Sequence, residues 1–345
     1  MEVAFEFADA AEVLAGLGPY VCVASATGWT TSGLADAAPP PVQLLGADSL
    51  EEIELDRLLE VVGDAPTIVG AGGGLAVDAA KYLALRTGRP LVLVPTALSC
   101  LAPFTVEVAR RVRRQHVWVG DIAGRVVIDL QRLGAAPAAL NRAGAAEVVA
   151  TMTATWDWRL ADARDKGLPF SPVVGELGQR SRALLGEAAA DIAAGSRDGL
   201  VVLAELLGGL GAASARSSHR RLVDGSEHTF VQAYEHRLGR PSSYGGFLGV
   251  GTVAMATLQR WYGVSAGGPI DPGEAVDLLT RCRVAANPNQ LGLDEGTFRG
   301  LLRHAVRFHV GEFLPWSVLN EADLNWSAAE EMWRMCWRVP VLREG

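Results

Sequence analysis

The sequence predicts two domains, an α/β N-terminal domain with a parallel sheet and an all-α C-terminal domain. Up to about residue 135, short apolar runs alternate with helical stretches, which is the pattern of a parallel sheet covered by helices. After residue 141 the strand signals stop, and apolar residues recur at intervals of three and four, as they do on helices. We therefore predict a first domain over residues 1–138 and a second domain over residues 139–345.

The elements of the first domain follow from its apolar runs. Strands are predicted over residues 20–25, 41–45, 67–70, 90–95 and 125–129. Apolar residues at helical spacing predict helices over residues 50–62 and 75–85. Residues 105–119 alternate between apolar and polar side chains, which favours a β-hairpin between the last two strands.

The second domain consists of apolar stretches at helical spacing, which Gly or Pro separates. These stretches predict helices over residues 144–162, 176–193, 199–215, 226–237, 249–262, 274–283 and 328–338. The cleft between a parallel sheet and a second domain is the default position for an active site. We therefore expect the site of this protein in that cleft.

Composition limits the class of function. The chain of 345 residues is 49% hydrophobic and 20% charged, which provides a large core and excludes intrinsic disorder. Its net charge of −8 argues against nucleic-acid binding, which needs a basic surface. Charged residues interrupt every apolar run before the roughly 18 residues of a membrane span. The acidic start and four widely spaced cysteines predict a cytoplasmic protein without an export signal, and the near absence of lysine suggests a GC-rich bacterial source.

A glycine-rich turn is the first chemical signal. The strand over residues 67–70 runs into Gly72, Gly73 and Gly74, and a helix opens directly behind them. Glycine lets the backbone approach a pyrophosphate, and the N–H groups of the following helix N-terminus can bind phosphate oxygens. The turn predicts a Rossmann-like, dinucleotide-binding domain, although its spacing differs from the G-x-G-x-x-G fingerprint. A tight strand–helix turn that binds nothing is the alternative.

Polar residues surround this turn in the sequence. Asp78 and Lys81 follow Gly74 by about one and two helical turns, so they lie on the helix face that begins at the glycines. An ion pair that braces the turn would explain them equally well. The next strand ends in Thr96 and Ser99, and hydroxyl groups at the carboxyl edge of a parallel sheet point into the ligand crevice. Hydroxyl groups that merely cap a turn are the alternative there.

These motifs, in this order, resemble the superfamily of iron-containing alcohol dehydrogenases, glycerol dehydrogenases and dehydroquinate synthases. Within it the chain is most similar to the glycerol-1-phosphate dehydrogenase branch. The similar segments are NRAGAAE at residues 141–147, GSEHTF at 225–230, GVGT at 249–252 and WSVLNEADL at 316–324. The resemblance covers about residues 65 to 325 and implies a dehydroquinate synthase-like fold.

The resemblance also implies the chemistry. It implies hydride transfer between NAD or NADP and an alcohol or ketone, often a phosphorylated polyol. The cofactor-binding residues that it implies are Gly72, Gly73, Gly74, Asp78, Lys81, Thr96 and Ser99. It further implies a divalent zinc or iron ion that polarises the substrate oxygen and lowers the pKa of the bound alcohol.

The metal ligands that the resemblance implies are only partly present. Glu147 matches an aspartate ligand and His228 a histidine ligand, but Tyr244 stands where a second histidine ligand would be. The acidic neighbour of that histidine is Gly246 here, and a further family histidine is Gln232. Because zinc prefers Cys, His and carboxylate ligands, we expect a metal site that is weaker than the family's or missing.

Tyr244 and His228 are then the candidate catalytic residues. A phenol within reach of a carbonyl oxygen can supply the proton that follows the hydride. The alternatives are a tyrosine that lines the cleft and a histidine that packs at a helix N-terminus without a metal. The preference between NAD and NADP stays open, although Asp48, just past the second strand, could accept a hydrogen bond from a ribose 2′-hydroxyl and so disfavour NADP.

Three functions remain open. The first is an NAD(P)-dependent dehydrogenase or reductase with an altered or absent metal. The second is a lyase or cyclase of the dehydroquinate synthase type that uses NAD transiently, which Glu147 favours because dehydroquinate synthases carry glutamate at that position. The third is a catalytically silent family member. In each case we expect a homo-oligomer that acts on a small-molecule substrate. We expect it to bind neither nucleic acid nor a membrane.

Overall fold

The computed structural model describes residues 3–239, 243–262, 268–312, 314–322 and 324–342. The first two residues of the acidic start and Asp323, which belongs to the segment 316–324, lie outside the described residues. The chain forms two compact units. The first unit comprises Met1–Asn141 and Ala194–Arg216, and the second unit comprises Arg142–Ala193 and Ser217–Gly345.

The first unit is built on a six-stranded sheet in which every pairing is parallel. Its strands and hairpin are β1 (Ala4–Phe7), β2 (Tyr20–Ala24), β3 (Gln43–Gly46), β4 (Thr67–Gly72), β5 (Leu91–Pro95), β6 (Glu107–Val112), β7 (Gln115–Asp121) and β8 (Arg125–Ile128). The strand order is β1-β8-β5-β4-β2-β3, and β6 and β7 form a separate antiparallel hairpin. The predicted parallel sheet and hairpin are confirmed, and only the short edge strand β1 was missed.

Helices and turns connect these strands. The helices before residue 143 are α1 (Ala10–Ala15), α2 (Ala26–Thr31), α3 (Leu34–Ala37), α4 (Glu52–Val61), α5 (Gly74–Thr87), α6 (Leu130–Ala135) and α7 (Ala138–Arg142). A 3₁₀ turn lies at Ala102–Phe104. The core on one face of the sheet contains alternate residues of the central strands, because successive side chains of a strand point to opposite faces. These are Tyr20, Cys22, Ala24, Val69, Ala71, Val92, Val94 and Val127.

The remaining helices extend from residue 145 to residue 336. They are α8 (Ala145–Ala163), α9 (Pro172–Glu187), α10 (Ala189–Ala194), α11 (Arg197–Ser217), α12 (Ser226–Leu238), α13 (Tyr244–Tyr262), α14 (Pro272–Arg281), α15 (Glu295–Gly311), α16 (Val318–Glu321) and α17 (Trp326–Cys336). The described part of the second unit contains helices and no strand. This agrees with the predicted all-α region, and the described helices α15 and α16 were not predicted.

Helix α11 packs within the first unit, whereas the sequence division at residue 138 assigned it to the second domain. A Cβ atom on Gly208 would overlap the ring of Phe5, and one on Gly211 would overlap the backbone of Phe104. Two glycines therefore allow α11 to approach β1 and the 3₁₀ turn closely. Among the described helices, only α11 has the length and the apolar composition that a membrane-spanning helix needs. Of its most apolar 18-residue stretch, 61% is buried inside the protein, as in a core helix.

Candidate active site

The turn after β4 requires glycine at one position and leaves open space at the next. Gly72 has a φ of +151°, and a Cβ atom there would lie 2.9 Å from the Cβ of Ala76. A Cβ atom on Gly73 would meet nothing within 4 Å. Gly73 directly precedes the first residue of α5, and no side chain caps the N–H groups of the first turn at this position. Such a helix N-terminus can bind a phosphate group.

Three strand ends converge on this turn. Ala24 of β2 pairs with Ala71 of β4, and Gly72 pairs with Pro95 of β5, so the carboxyl ends of the strands are level. The N–H of Thr96 donates to the carbonyl oxygen of Gly72 over 3.1 Å. The predicted residues Gly72, Gly73, Gly74 and Thr96 therefore lie together.

The segment after β2 also joins this edge, and it was not predicted to do so. A Cβ atom on Gly28 would lie 3.3 Å from the Cα of Gly72 and 3.4 Å from Oγ1 of Thr96. Ser25 caps α2 by accepting the N–H of Gly28 over 3.0 Å, and its Oγ faces the Gly72 turn. The available signal was a predicted strand that ends in Ser25 and is followed closely by glycine.

The loop after β5 is held in place by Asn141, the first residue of the segment NRAGAAE. Its Oδ1 accepts the N–H of Leu98, and its Nδ2 donates to the carbonyl oxygen of Leu133, both over 2.8 Å. Ser99 follows in this loop and is half-buried. The side chain of Cys100 lies next to the glycine turn, because a Cβ atom on Gly74 would be 3.1 Å from its Sγ.

Lys81 and Asp78 lie further along α5. The ammonium group of Lys81 is buried and donates to the carbonyl oxygens of Ala102 and Glu107 and to Oγ1 of Thr105. Asp78 lies 4.0 Å from the same ammonium group. These contacts hold the segment that leads into β6, and the predicted role of both residues in cofactor binding stays a prediction.

In the second unit, the structure brings Glu147, His228 and Tyr244 together. Glu147 lies in the first turn of α8, His228 in the first turn of α12, and Tyr244 begins α13. Nε2 of His228 is 3.4 Å from Oε2 of Glu147, and the ring centroids of His228 and Tyr244 are 6.5 Å apart. Glu147 and His228 are both buried, whereas Tyr244 is partly exposed.

Two glycines follow Tyr244, and close backbone contacts explain why glycine stands at both positions. A Cβ atom on Gly245 would overlap the carbonyl oxygen of Ala143, and one on Gly246 would overlap the carbonyl oxygen of Ala285. The start of α13 therefore touches the backbone just before α8, the helix that carries Glu147 in its first turn. An acidic side chain at position 246 would have no room in this chain.

The ring of His228 lies among carboxylates. Its Nδ1 is 2.9 Å from Oε1 of Glu227 and 3.9 Å from Oδ1 of Asp224, and its Nε2 faces Glu147. Burial by itself would lower the pKa of His228. The three carboxylates outweigh this effect and raise the pKa of His228 well above its ordinary value, which favours the protonated ring.

The donors of this cluster do not fit the three-ligand metal centre that the resemblance implies. Glu147 and His228 offer a carboxylate oxygen and an imidazole nitrogen. Across the described residues, no group of three or more His, Cys, Asp or Glu side chains could hold a metal ion. The third position carries the phenol of Tyr244, which is an uncommon zinc ligand.

Comparison with known proteins finds relatives that cover most of the chain. A family model described as iron-containing alcohol dehydrogenase matches residues 34–137. A glycerol-1-phosphate dehydrogenase (NAD(P)+) of Hyperthermus butylicus is 30% identical over 285 residues, which are 81% of this chain and 77% of the relative. A protein of the same name from Thermococcus kodakarensis is 26% identical over 348 residues, covering 93% of this chain and 94% of the relative.

Solved structures share the fold. A probable glycerol dehydrogenase from Sinorhizobium meliloti superposes with a TM-score of 0.69 and 16% identity. The superposition covers 95% of this chain and 93% of that structure. At this identity the likeness supports the fold alone, and it agrees with the fold class expected from the sequence.

Proposed function

Because this chain belongs to the iron-containing alcohol dehydrogenase family, we propose that it transfers hydride between NAD(H) or NADP(H) and a small polar alcohol or ketone without the family's metal centre. The chain is an NAD(P)-dependent dehydrogenase or reductase of this family type. Relatives named for glycerol 1-phosphate support a substrate class that includes phosphorylated polyols and their ketones. We also propose a homo-oligomer that acts in the cytoplasm on a freely diffusing small molecule.

The observation that carries this proposal is the open glycine turn at the level carboxyl ends of β2, β4 and β5. Gly73 leaves space beside the first turn of α5, whose N–H groups suit a pyrophosphate. Thr96 and Ser25 add hydroxyl groups at the same edge. This is the edge at which open α/β sheets bind nucleotides, and we propose that Gly72, Gly73, Gly74, Thr96 and Ser99 bind the cofactor there.

Residues of the second unit can supply the proton that accompanies hydride transfer. A carbonyl carbon that accepted a hydride from a bound NADH or NADPH would leave a negative charge on its oxygen, and that oxygen would need a proton. We assign this proton to the phenol of Tyr244 and propose His228, whose ring centroid is 6.5 Å from that of Tyr244, as the second catalytic side chain of the site. In the reverse direction Tyr244 takes the proton back as the alcohol is oxidised.

Glu147 has a role in this scheme that needs no metal. Its carboxylate faces Nε2 of His228 and favours the charged ring. The same glutamate supports the second candidate function, a lyase or cyclase of the dehydroquinate synthase type. Net consumption of NADH or NADPH separates the two, because such a lyase regenerates its NAD within each turnover. A silent family member would show no turnover in either assay.

Turnover by enzyme that has been treated with a metal chelator tests the proposal. We expect the purified protein to hold well below one equivalent of zinc or iron after brief chelation, and to oxidise NADH or NADPH with a small ketone from a panel with and without phosphate groups. Tyr244→Phe removes only the hydroxyl group and should lower kcat by roughly a hundredfold or more. Elemental analysis and steady-state kinetics measure both quantities.

The matched control is Tyr234→Phe, since Tyr234 lies on α12 in the same unit and packs its ring against Phe247 at 4.2 Å between centroids. We expect this variant to keep its turnover. Stoichiometric zinc that survives chelation, or a Tyr244→Phe enzyme with full turnover, would refute the metal-free scheme.

A further inference from the structure

We propose that Glu227 is the positioning residue of His228, a role that rests on the proposed function of His228. Glu227 is fully buried at the start of α12, directly before His228 in the segment GSEHTF. Neither the sequence motif nor the metal ligands of the family assign a task to this carboxylate. Its contacts do.

Both oxygens of Glu227 are anchored. Oε1 accepts the N–H of Gly225 over 2.7 Å and lies 2.9 Å from Nδ1 of His228. Oε2 accepts the hydroxyl group of Thr153, on α8, over 2.7 Å. These hydrogen bonds hold the buried carboxylate in a single orientation, in which Oε1 faces the imidazole ring.

The neighbouring residues keep this carboxylate in place. Asp157 accepts the N–H of Ser226 over 2.8 Å, which fixes the first residue of α12 to α8. A Cβ atom on Gly225 would lie 2.8 Å from Oε2 of Glu227 and 3.0 Å from Oδ2 of Asp157. Glycine at position 225 is therefore needed to admit both carboxylates.

The consequence for His228 is a fixed ring. The bond to Glu227 makes Nδ1 a hydrogen-bond donor and sets the plane of the imidazole, so that Nε2 is directed at Glu147 over 3.4 Å. Without an acceptor at position 227 the ring loses its shortest hydrogen bond, and only Glu147 and the more distant Asp224 are left to orient it. His228 would then no longer present the same nitrogen at the site.

Two variants of Glu227 separate positioning from charge. Glu227→Ala removes the acceptor, and we expect kcat to fall on the order of tenfold or more while KM for NADH or NADPH changes less than about twofold. Glu227→Gln keeps an amide oxygen where Oε1 lies, so it should restore most of the lost turnover. Glu235→Ala, which removes another buried carboxylate of α12, is the control for general damage to this helix.

A spectroscopic readout is independent of turnover. In protein labelled with ¹⁵N-histidine, the ring signals of His228 are assigned by their loss in His228→Gln. We expect the Nδ1 signal to shift in Glu227→Ala, to return in Glu227→Gln and to stay unchanged in Glu235→Ala. An unshifted signal in Glu227→Ala, or equal losses of kcat in Glu227→Ala and Glu235→Ala, would overturn the proposal. If the wild-type protein turns over no ketone, the proposed function fails, and the ring signals alone decide the role of Glu227.

Discussion

At the residue scale, Gly72 ends β4 and Gly73 follows it, and the two differ in what a side chain would meet. This difference gives a clean test of the proposed nucleotide site. Gly72 has a positive φ and a crowded Cβ position, so any substitution there disturbs the fold. Gly73 has a φ of −82° and open space around it. We expect Gly73→Leu to fold normally and to weaken NADH and NADPH binding at least about tenfold, measured by calorimetry, because its side chain fills the space of the phosphates.

Gly209→Leu is the control for this variant. Gly209 lies on α11 in the same unit, and a Cβ atom there also meets nothing within 4 Å. The affinity of the Gly209→Leu protein for NADH and NADPH should match that of the wild-type protein. Unchanged affinity in Gly73→Leu would mean that the nucleotide binds elsewhere.

The sequence predicted the arrangement of the glycine turn and Thr96 better than the contacts around His228. The glycine turn and Thr96 are found by local order along the chain, because a strand, a turn and a helix follow one another directly. The contact of Glu227 with Thr153 joins residues that are distant in sequence, and no spacing rule reveals it. The burial of Lys81 among the carbonyl groups of the 102–107 segment is likewise a tertiary contact.

At the element scale, α11 shows how glycine can determine where a helix packs. Gly208 and Gly211 lie on its buried face against Phe5 and Phe104, and the rings of those two residues meet edge to face at 5.6 Å. Gly209 lies on the exposed face. Three glycines so close together in one helix weaken its intrinsic propensity, and close packing is the reason to keep two of them.

Alanine substitutions on the two faces of α11 should therefore act in opposite directions. We expect Gly211→Ala to lower the free energy of unfolding by about 1–3 kcal/mol, because its methyl group overlaps the backbone of Phe104. We expect Gly209→Ala to raise it by about 0.5–1 kcal/mol through better helix propensity. Urea denaturation measures both, and a stabilised Gly211→Ala protein would contradict this packing.

At the scale of the whole molecule, the pH dependence of stability carries a contribution from His309. This residue is buried on α15, with Nδ1 3.2 Å from the hydroxyl group of Thr229 and Nε2 2.8 Å from Oδ1 of Asn320. Burial lowers the pKa of His309 to about 4, so the neutral ring is favoured in the folded protein. The unfolded chain binds a proton near pH 6.5, where the folded protein does not.

The sign of this contribution follows from linkage. It is fully present above pH 6.5 and is lost as the pH falls toward 4, because protons then favour the unfolded chain. Between pH 7 and pH 5 we expect His309 alone to remove about 2 kcal/mol from the free energy of unfolding. The raised pKa of His228 acts in the opposite direction, so the test compares the wild-type protein with His309→Gln, in which His228 is unchanged. Parallel pH profiles of the two proteins would exclude this role of His309.

The sequence by itself determined the fold class, the parallel sheet, most of the helices and the glycine turn. These features depend on periodicity and on neighbours in the chain, and both are visible in one sequence. Periodicity also contained the signal for α15, since Asp294 caps it and Phe298, Leu301, Leu302 and Ala305 follow on one buried face.

Only the tertiary structure decided which distant side chains meet. It brought Ser25 and Gly28 to the Gly72 turn, and it packed α11 with the first unit. It also enclosed His228 between Glu227 and Glu147, on helices that are far apart in the chain. The physical reason is that burial, close approach and the field of neighbouring charges are sums over all surrounding elements, whereas periodicity reports only one element at a time.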